Sequence, residues 1–193
     1  MNGLSILLIS GPLAVGKTSI REVLTARHGY VAVQSSPYLK ELAALRGIIV
    51  ERASLQRLGD ALDLETRFSW IVYDVARPQI AAKPEQLLWV VDSVRKTEQV
   101  RLFRDCFGSA IMHVHFTCSE SVLRNRYDMR GRQDDAVAYE EAISHPNEVS
   151  SRSLSQIADR IVDLEQLSSD KAADLVAQWA NPISASRDKS RKC

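Results

Sequence analysis

Cysteine is scarce in this chain, and its placement argues against a disulfide framework or a zinc site. Among the 193 residues are three cysteines, Cys106, Cys118 and Cys193, an odd number without C-x-x-C spacing. This pattern is typical of a protein in the reducing cytoplasm, which is the location we predict. The sequence also lacks an apolar run long enough to span a membrane. The N-terminal MNGLSILLIS has no basic residues, so it predicts a buried strand and not a signal peptide.

A strong excess of charge of either sign is absent as well. The formal net charge is +1, with 45% hydrophobic and 25% charged residues. We therefore expect no membrane binding and no general nucleic-acid binding. Separately, we expect a small-molecule partner, and a monomer or homodimer. A chain of this length is long enough for one substantial core and short for two, so it predicts a single globular domain.

The stretch GPLAVGKTS carries the most specific chemical signal in the sequence. It matches G-x-x-x-x-G-K-[ST], with the apolar run LSILLIS before it and a helix-like run after it. In such a loop, successive backbone N–H groups converge on phosphate oxygens, so side chains at the closest positions must be small. Lys17 is predicted to reach the β- and γ-phosphates of ATP, and the Thr18 hydroxyl to bind Mg²⁺. The predicted ATP-binding residues are Gly11, Pro12, Leu13, Ala14, Val15, Gly16, Lys17, Thr18 and Ser19.

Strand-like and helix-like segments alternate along the chain, which predicts an α/β fold with helices on both faces of a parallel sheet. A long helical region lies between the second and third strands, and Pro78 is predicted to end it. The five strands are expected at about residues 4–10, 30–33, 86–92, 110–116 and 159–164.

Asp92 is the candidate for the carboxylate that a magnesium-dependent phosphate loop requires. It follows the apolar run LLWVV, where a buried parallel strand emerges at the ligand-binding edge of the sheet. We predict that it lies beside the phosphate loop and helps to hold Mg²⁺. The alternative is that Asp92 only caps the helix that begins near Lys96.

Four arginines cluster in the segment RNRYDMRGR, at positions 124, 126, 130 and 132. We predict that Arg126, Arg130 and Arg132 close over the phosphates and stabilise the charge that develops during phosphoryl transfer. The alternative is a solvated surface neutralised by neighbouring aspartates, which are Asp128, Asp134 and Asp135.

Taken in order, these segments resemble the nucleoside monophosphate kinase superfamily, most closely its deoxynucleoside monophosphate kinase-like and dephospho-CoA kinase-like branches. The resemblance covers about residues 3–178. It implies a three-layer P-loop NTPase fold with a helical acceptor-binding insertion and a short arginine-rich lid. It also implies that Arg95 and Arg52, with Gln56 nearby, bind the acceptor, and that Asp92 organises magnesium. Ser93 stands where those kinases usually have glycine.

The resemblance also sets the expected domain limits and the expected activity. We predict one kinase domain over residues 1–180, with acceptor-binding helices at about 34–82, a lid at about 124–146 and a flexible tail at 181–193. The expected reaction transfers the γ-phosphoryl group of ATP to a (deoxy)nucleoside monophosphate or a similar small phosphorylated nucleotide. The alternatives are a kinase acting on a hydroxyl group and a nucleotide-binding regulatory switch.

Two further groups of residues allow two interpretations each. His113 and His115 share one face of a predicted strand and could bind a metal, but no third ligand is evident, so we favour packing. Trp70, Tyr73 and Phe68 could stack on a base, and we favour a place in the core.

Overall fold

Five parallel strands form the centre of the protein. The computed structural model describes residues 3–129 and 137–180. The strands lie in the order β2-β3-β1-β4-β5, and every neighbouring pair is parallel. They are β1 (Ser5–Ser10), β2 (Val31–Ala32), β3 (Leu88–Val91), β4 (Ile111–Thr117) and β5 (Arg160–Asp163). The predicted fold class, a parallel five-stranded α/β sheet, is confirmed.

Helices connect the strands and cover both faces of the sheet. The first half of the chain contains α1 (Lys17–Arg27), α2 (Ser35–Leu45), α3 (Arg52–Glu65), a π-helical turn (Ile71–Ala76) and α4 (Arg77–Ala81). The second half contains α5 (Thr97–Phe107), α6 (Glu120–Asp128), α7 (Tyr139–Ser144), α8 (Pro146–Ser153) and α9 (Ser169–Ala180). No helix within the described residues combines the length and the apolar character needed to cross a membrane.

The side chains of β1 alternate between two separate cores. Leu7 and Ile9 pack with α1 and α9 on one face, whereas Ile6 and Leu8 pack with the helices between β2 and β4 on the other. All four side chains are fully buried. The central strand is therefore covered by helices on both sides, which gives the three layers and explains its continuous apolar sequence.

The sequence predicts that the strand before Asp92 lies beside the strand before the phosphate loop, and this is confirmed. β3 pairs with β1 in a register that sets Leu8 opposite Val91. Asp92 follows directly after that position. The carboxyl ends of both strands therefore lie at the same edge of the sheet, where ligands bind in open α/β folds.

The prediction that Pro78 ends the long helical region is wrong. The chain breaks earlier, at residues 66–69, where Arg67 and Phe68 have φ values of 52° and 67°. Beyond this break the helix runs through Pro78 to Ala81. Pro78 is tolerated because it lies in the first turn of α4, directly after a π-helical turn in which Arg77 N–H bonds the Val72 carbonyl.

Trp70 belongs to the core, as favoured from the sequence. Its side chain is buried, its ring stacks on Tyr38 with centroids 5.9 Å apart, and its indole N–H donates to Asp63 at 2.7 Å. Tyr73 is more exposed, at 41%. The core interpretation therefore holds for Trp70 and does not extend to Tyr73.

Candidate functional site

The predicted phosphate loop connects the end of β1 to the start of α1. Gly11 has a φ of +141°, and a Cβ atom there would lie 2.4 Å from the backbone oxygen of Phe116 on β4. Gly16, with a φ of +112°, precedes α1, which has no acidic residue in its first turn and no side-chain cap among the described residues. The N-terminal amides of α1 thus keep their capacity to bind an anion, and the positive end of the helix dipole favours one.

Lys17 and Ser151 both contact the backbone carbonyl of Gly11. The ammonium of Lys17 donates to the carbonyls of Gly11 and Pro12, the latter at 2.9 Å. The Ser151 hydroxyl, buried on α8, donates to Gly11 at 3.0 Å. These contacts hold the start of the loop against α8, an element that lies far from the loop in sequence.

Asp92 lies at the carboxyl end of β3, next to the strand that precedes the phosphate loop, as predicted. Its side chain pairs there with Arg21 of α1. Nη1 of Arg21 lies 2.8 Å from Oδ2 of Asp92, with both side chains largely buried. Helix α5 begins at Thr97 with Lys96 at its N-cap, and Gln99 accepts from the backbone N–H of Lys96. The alternative that Asp92 caps this helix is therefore wrong. Sequence analysis missed Arg21, although its i,i+4 spacing from Lys17 places both on one face of α1.

Helix α8 places a carboxylate on the phosphate loop, and the sequence analysis did not anticipate it. Oε1 of Glu148 accepts a hydrogen bond from Leu13 N–H at 2.7 Å. The same oxygen accepts from Nε of Arg152 at 3.1 Å, one helical turn further along. The side chain of Glu148 is 12% exposed. A nearly buried carboxylate therefore accepts a hydrogen bond from one of the backbone N–H groups of the loop.

Arg152 ties this carboxylate to neighbouring helices. Its guanidinium donates to Glu120 at 2.8 Å and to the Tyr139 hydroxyl at 3.3 Å, in addition to Glu148. The Arg152 guanidinium and the Tyr139 hydroxyl hold the pKa of Glu120 below its usual value. In sequence, the signal for this network is the i,i+4 spacing of Glu148 and Arg152 within a segment that otherwise reads as polar.

The three residues predicted on the acceptor side lie on two different elements. Arg52 opens α3, Gln56 follows one turn later, and Arg95 lies in the connection between β3 and α5. All three side chains are exposed. The Gln56 amide lies 3.4 Å from His145, directly before α8. Their role in acceptor binding stays a prediction.

Two aspartates lie on α3, within the predicted acceptor-binding helices. Oδ1 of Asp60 on α3 accepts from the Asn147 amide of α8 at 2.6 Å. Asp63, one turn further on, is buried and accepts from Trp70 and Gln99. Burial raises the pKa of the Asp63 carboxyl, and the two hydrogen bonds oppose this effect. The Lys96 ammonium, directly before α5, donates to Ser150 of α8 at 3.1 Å.

Of the three predicted lid arginines, the structure describes Arg126. Its guanidinium donates to the backbone carbonyls of Val15 in the phosphate loop, at 3.0 Å, and of Leu164 after β5, at 3.1 Å. Arg126 is therefore next to the loop, and its predicted contact with phosphate stays a prediction. Arg130, Arg132 and most of the cluster's neighbouring aspartates lie outside the described residues, as does the predicted tail at 181–193.

His113 and His115 lie beneath the phosphate loop and bind one hydroxyl. Nε2 of His113 and Nδ1 of His115 lie 2.7 and 2.9 Å from Oγ of Ser10, the residue before Gly11. One hydroxyl can donate to one ring nitrogen and accept from the other, so this arrangement suits neutral imidazoles. Burial lowers the pKa of each histidine to about 4. Among the described residues, no group of three or more possible metal ligands includes either histidine, and packing stays the interpretation that we favour.

These two histidines predict a loss of stability in mild acid. Their pKa falls from 6.5 to about 4 on folding, so the unfolded chain binds more protons between these values. The free energy of unfolding should be highest above about pH 6.5 and fall towards pH 4, by roughly 3 kcal/mol per histidine. Urea titrations between pH 4 and 8 test this.

The matched variant for this test is His115→Gln, which keeps hydrogen-bonding groups and removes one titrating ring. Its stability should depend less steeply on pH across the same window than that of the wild type. Equal slopes for the two proteins would contradict the assignment. Carboxylates with lowered pKa, such as Glu120, lose their contribution only in more acidic solution and are the same in both proteins.

Solved structures with a similar fold include kinases. The chain is similar to a sugar kinase from a Janibacter species, with 13% identity, coverage of 94% of this chain and 97% of that one, and a TM-score of 0.57. It is similar to the protein TT1252 from Thermus thermophilus at 16% identity, with 93% and 98% coverage and a TM-score of 0.56. No family model matches the sequence, and no curated protein matches it. At such identities the likeness shows the fold alone, and it supports neither predicted branch of the superfamily.

Proposed function

We propose that this protein is a kinase that transfers the γ-phosphoryl group of ATP, with Mg²⁺, to a small acceptor molecule. The observation that carries the proposal is the phosphate loop itself, with left-handed glycines at Gly11 and Gly16 and Asp92 on the adjoining strand. Lys17 binds the transferred phosphoryl group, and Thr18 and Asp92 hold Mg²⁺. A hydroxyl and a carboxylate oxygen fit this ion, which prefers oxygen ligands. Positioning and charge stabilisation then supply most of the catalysis.

The first candidate acceptor is a (deoxy)nucleoside monophosphate or a similar small phosphorylated nucleotide. The resemblance places Arg95 and Arg52 at its phosphate, and both side chains are exposed on the acceptor side. A guanidinium is suited to bidentate contact with a phosphate group. In this proposal Arg126, Arg130 and Arg132 stabilise the charge on the transferred group.

The second candidate is a kinase that acts on a hydroxyl group. The carboxylates of Asp60 and Glu148 support it, because Asp60 lies on α3, within the predicted acceptor-binding helices, and Glu148 contacts the phosphate loop. A phosphate dianion would be repelled there, whereas an acceptor with hydroxyl groups could donate hydrogen bonds to these oxygens.

An acceptor screen tests the proposed function. Purified protein is incubated with labelled ATP, Mg²⁺ and, in turn, ribonucleoside monophosphates, deoxynucleoside monophosphates, nucleosides and dephospho-CoA. ADP production that depends on an acceptor supports a kinase. Slow hydrolysis that no acceptor accelerates, and that changes when a protein partner is added, would favour the regulatory switch.

Arg95→Met distinguishes acceptor binding from donor binding. Methionine keeps much of the apolar stem and removes the guanidinium, so the KM of a phosphorylated acceptor should rise. The fall in kcat/KM should correspond to a loss of roughly 2 to 3 kcal/mol of transition-state stabilisation. The Kd of ATP should not change, and steady-state titrations with direct ATP binding measure both. Arg101→Met, at an exposed position of α5, is the matched control. ATP binding weakened as much as acceptor use would contradict the assignment.

A further inference from the structure

Helix α8 contacts the phosphate loop and two elements of the predicted acceptor side. Ser151 contacts Gly11 of the phosphate loop, Ser150 contacts Lys96 after β3, and Asn147 contacts Asp60 of α3. One helix of two turns thus contacts all three elements that surround the proposed transfer path. A group that passes from a nucleotide on the loop to an acceptor near α3 must pass this helix.

Glu148 is the carboxylate of α8 on that path. The helical spacing 148, 151, 152 puts it on the face that contacts the phosphate loop, and residues 147 and 150 form the adjacent face towards the acceptor side. Its Oε1 is held from two directions, by Leu13 N–H and by Nε of Arg152. Two hydrogen bonds to one oxygen hold the carboxylate group in place at the mouth of the loop.

A fixed carboxylate at this point needs an explanation, because the loop is built to attract negative phosphate groups. A carboxylate beside a transferred phosphoryl group costs electrostatic energy, since two negative charges repel each other. The Arg152 guanidinium offsets part of that cost, and a proton that the carboxylate takes during the reaction offsets the rest. A hydroxyl acceptor releases such a proton, whereas a phosphate dianion does not.

We propose that Glu148 is a catalytic base that takes the proton of a hydroxyl group on the acceptor. The acceptor oxygen forms a bond to the γ-phosphorus, the bond from that phosphorus to the β,γ-bridging oxygen breaks, and ADP leaves. The hydroxyl proton moves to the Glu148 carboxylate and passes later to solvent, so atoms and charge balance. This inference rests on the proposed kinase function and selects the second acceptor class, small molecules with a reactive hydroxyl.

Water serves as the simplest hydroxyl probe, so the test does not require the natural acceptor. The rate of Mg²⁺-ATP hydrolysis is measured at saturating ATP for the wild type, Glu148→Gln and Glu148→Asp, and the Kd of ATP is measured for each. Glutamine keeps an oxygen that accepts from Leu13 N–H and Arg152 and cannot take up the proton. We expect hydrolysis by Glu148→Gln to be roughly 100-fold slower, with an ATP Kd within about threefold of wild type.

Two further variants make the result specific. Glu148→Asp keeps a carboxylate and should recover part of the rate. Glu98→Gln makes the same chemical change at an exposed position of α5, and should hydrolyse ATP within about twofold of wild type. Thermal unfolding of each variant checks that the fold is retained.

The inference is overturned if Glu148→Gln hydrolyses ATP within about threefold of the wild-type rate, including the case in which neither protein hydrolyses it measurably. It is also overturned if the variant loses ATP binding, because Glu148 would then organise the loop and not move a proton. If Glu148→Gln phosphorylates a nucleoside monophosphate at the wild-type rate, the kinase proposal stands and this inference fails. If the wild type does not bind ATP, the kinase proposal itself fails.

Discussion

Lys17→Ala is expected to abolish most phosphoryl transfer while leaving the protein folded. In the proposed mechanism the lysine ammonium binds the transferred phosphoryl group, and losing such a preorganised electrostatic contact is costly. We expect kcat/KM to fall about 10²- to 10⁴-fold, which is a loss of roughly 3 to 5 kcal/mol of transition-state stabilisation. Steady-state kinetics with the acceptor identified by the screen measure this.

The structure adds a second consequence for Lys17→Ala. The ammonium also donates to the carbonyls of Gly11 and Pro12, so its removal takes one donor from each of two loop carbonyls. Lys17→Met, which keeps the apolar stem, should show a similar loss of activity if the charge is responsible. Lys171→Ala, at an exposed position of α9, is the control and should retain full activity. A Lys17→Ala enzyme with a near wild-type rate at saturating substrates would refute the catalytic assignment.

Gly11→Ala is expected to damage both the stability and the ATP binding of the protein. A methyl group at this position would approach the backbone oxygen of Phe116 to 2.4 Å, and that oxygen belongs to the central sheet and cannot move easily. The φ of +141° adds backbone strain for a residue with a side chain. We expect the free energy of unfolding to fall by about 2 to 4 kcal/mol.

The displaced loop should also lose affinity for ATP. The Gly11 carbonyl accepts from Lys17 and Ser151, so any shift of this residue disturbs both contacts. Gly47→Ala is the matched control, because Gly47 also has a positive φ, of +66°, but no atom lies within 4 Å of the added methyl. It should cost only the backbone strain, of about 1 kcal/mol, and leave ATP binding unchanged. Equal destabilisation by the two substitutions would show that the contact with Phe116 does not matter.

The strands and the phosphate loop could be predicted because their signals are local. The strands β1 and β3 are short apolar runs, and the run before the loop is followed by a glycine pattern that few other structures require. The place of Asp92 beside the loop also followed from local sequence, since a buried parallel strand delivers its last residue to the ligand-binding edge.

Other features depended on contacts that no local pattern reports. The break before the π-helical turn depends on Arg67 and Phe68, neither of which is a residue type that usually adopts a left-handed conformation. Helices α7 and α8 are short and polar, so their apolar periodicity is too weak to detect. The environment of His113 and His115 depends on Ser10, about a hundred residues away in the chain.

By itself, the sequence determined the fold class, the phosphate loop and the strand that carries Asp92, because these depend on neighbours within a few residues. Tertiary structure alone decided that Glu148 contacts Leu13 across a separation of 135 residues, that Arg21 pairs with Asp92, and that α8 contacts both the phosphate loop and α3. The physical reason is that a hydrogen bond depends on the distance between two groups in space. Sequence patterns constrain that distance only within a single helix, strand or turn.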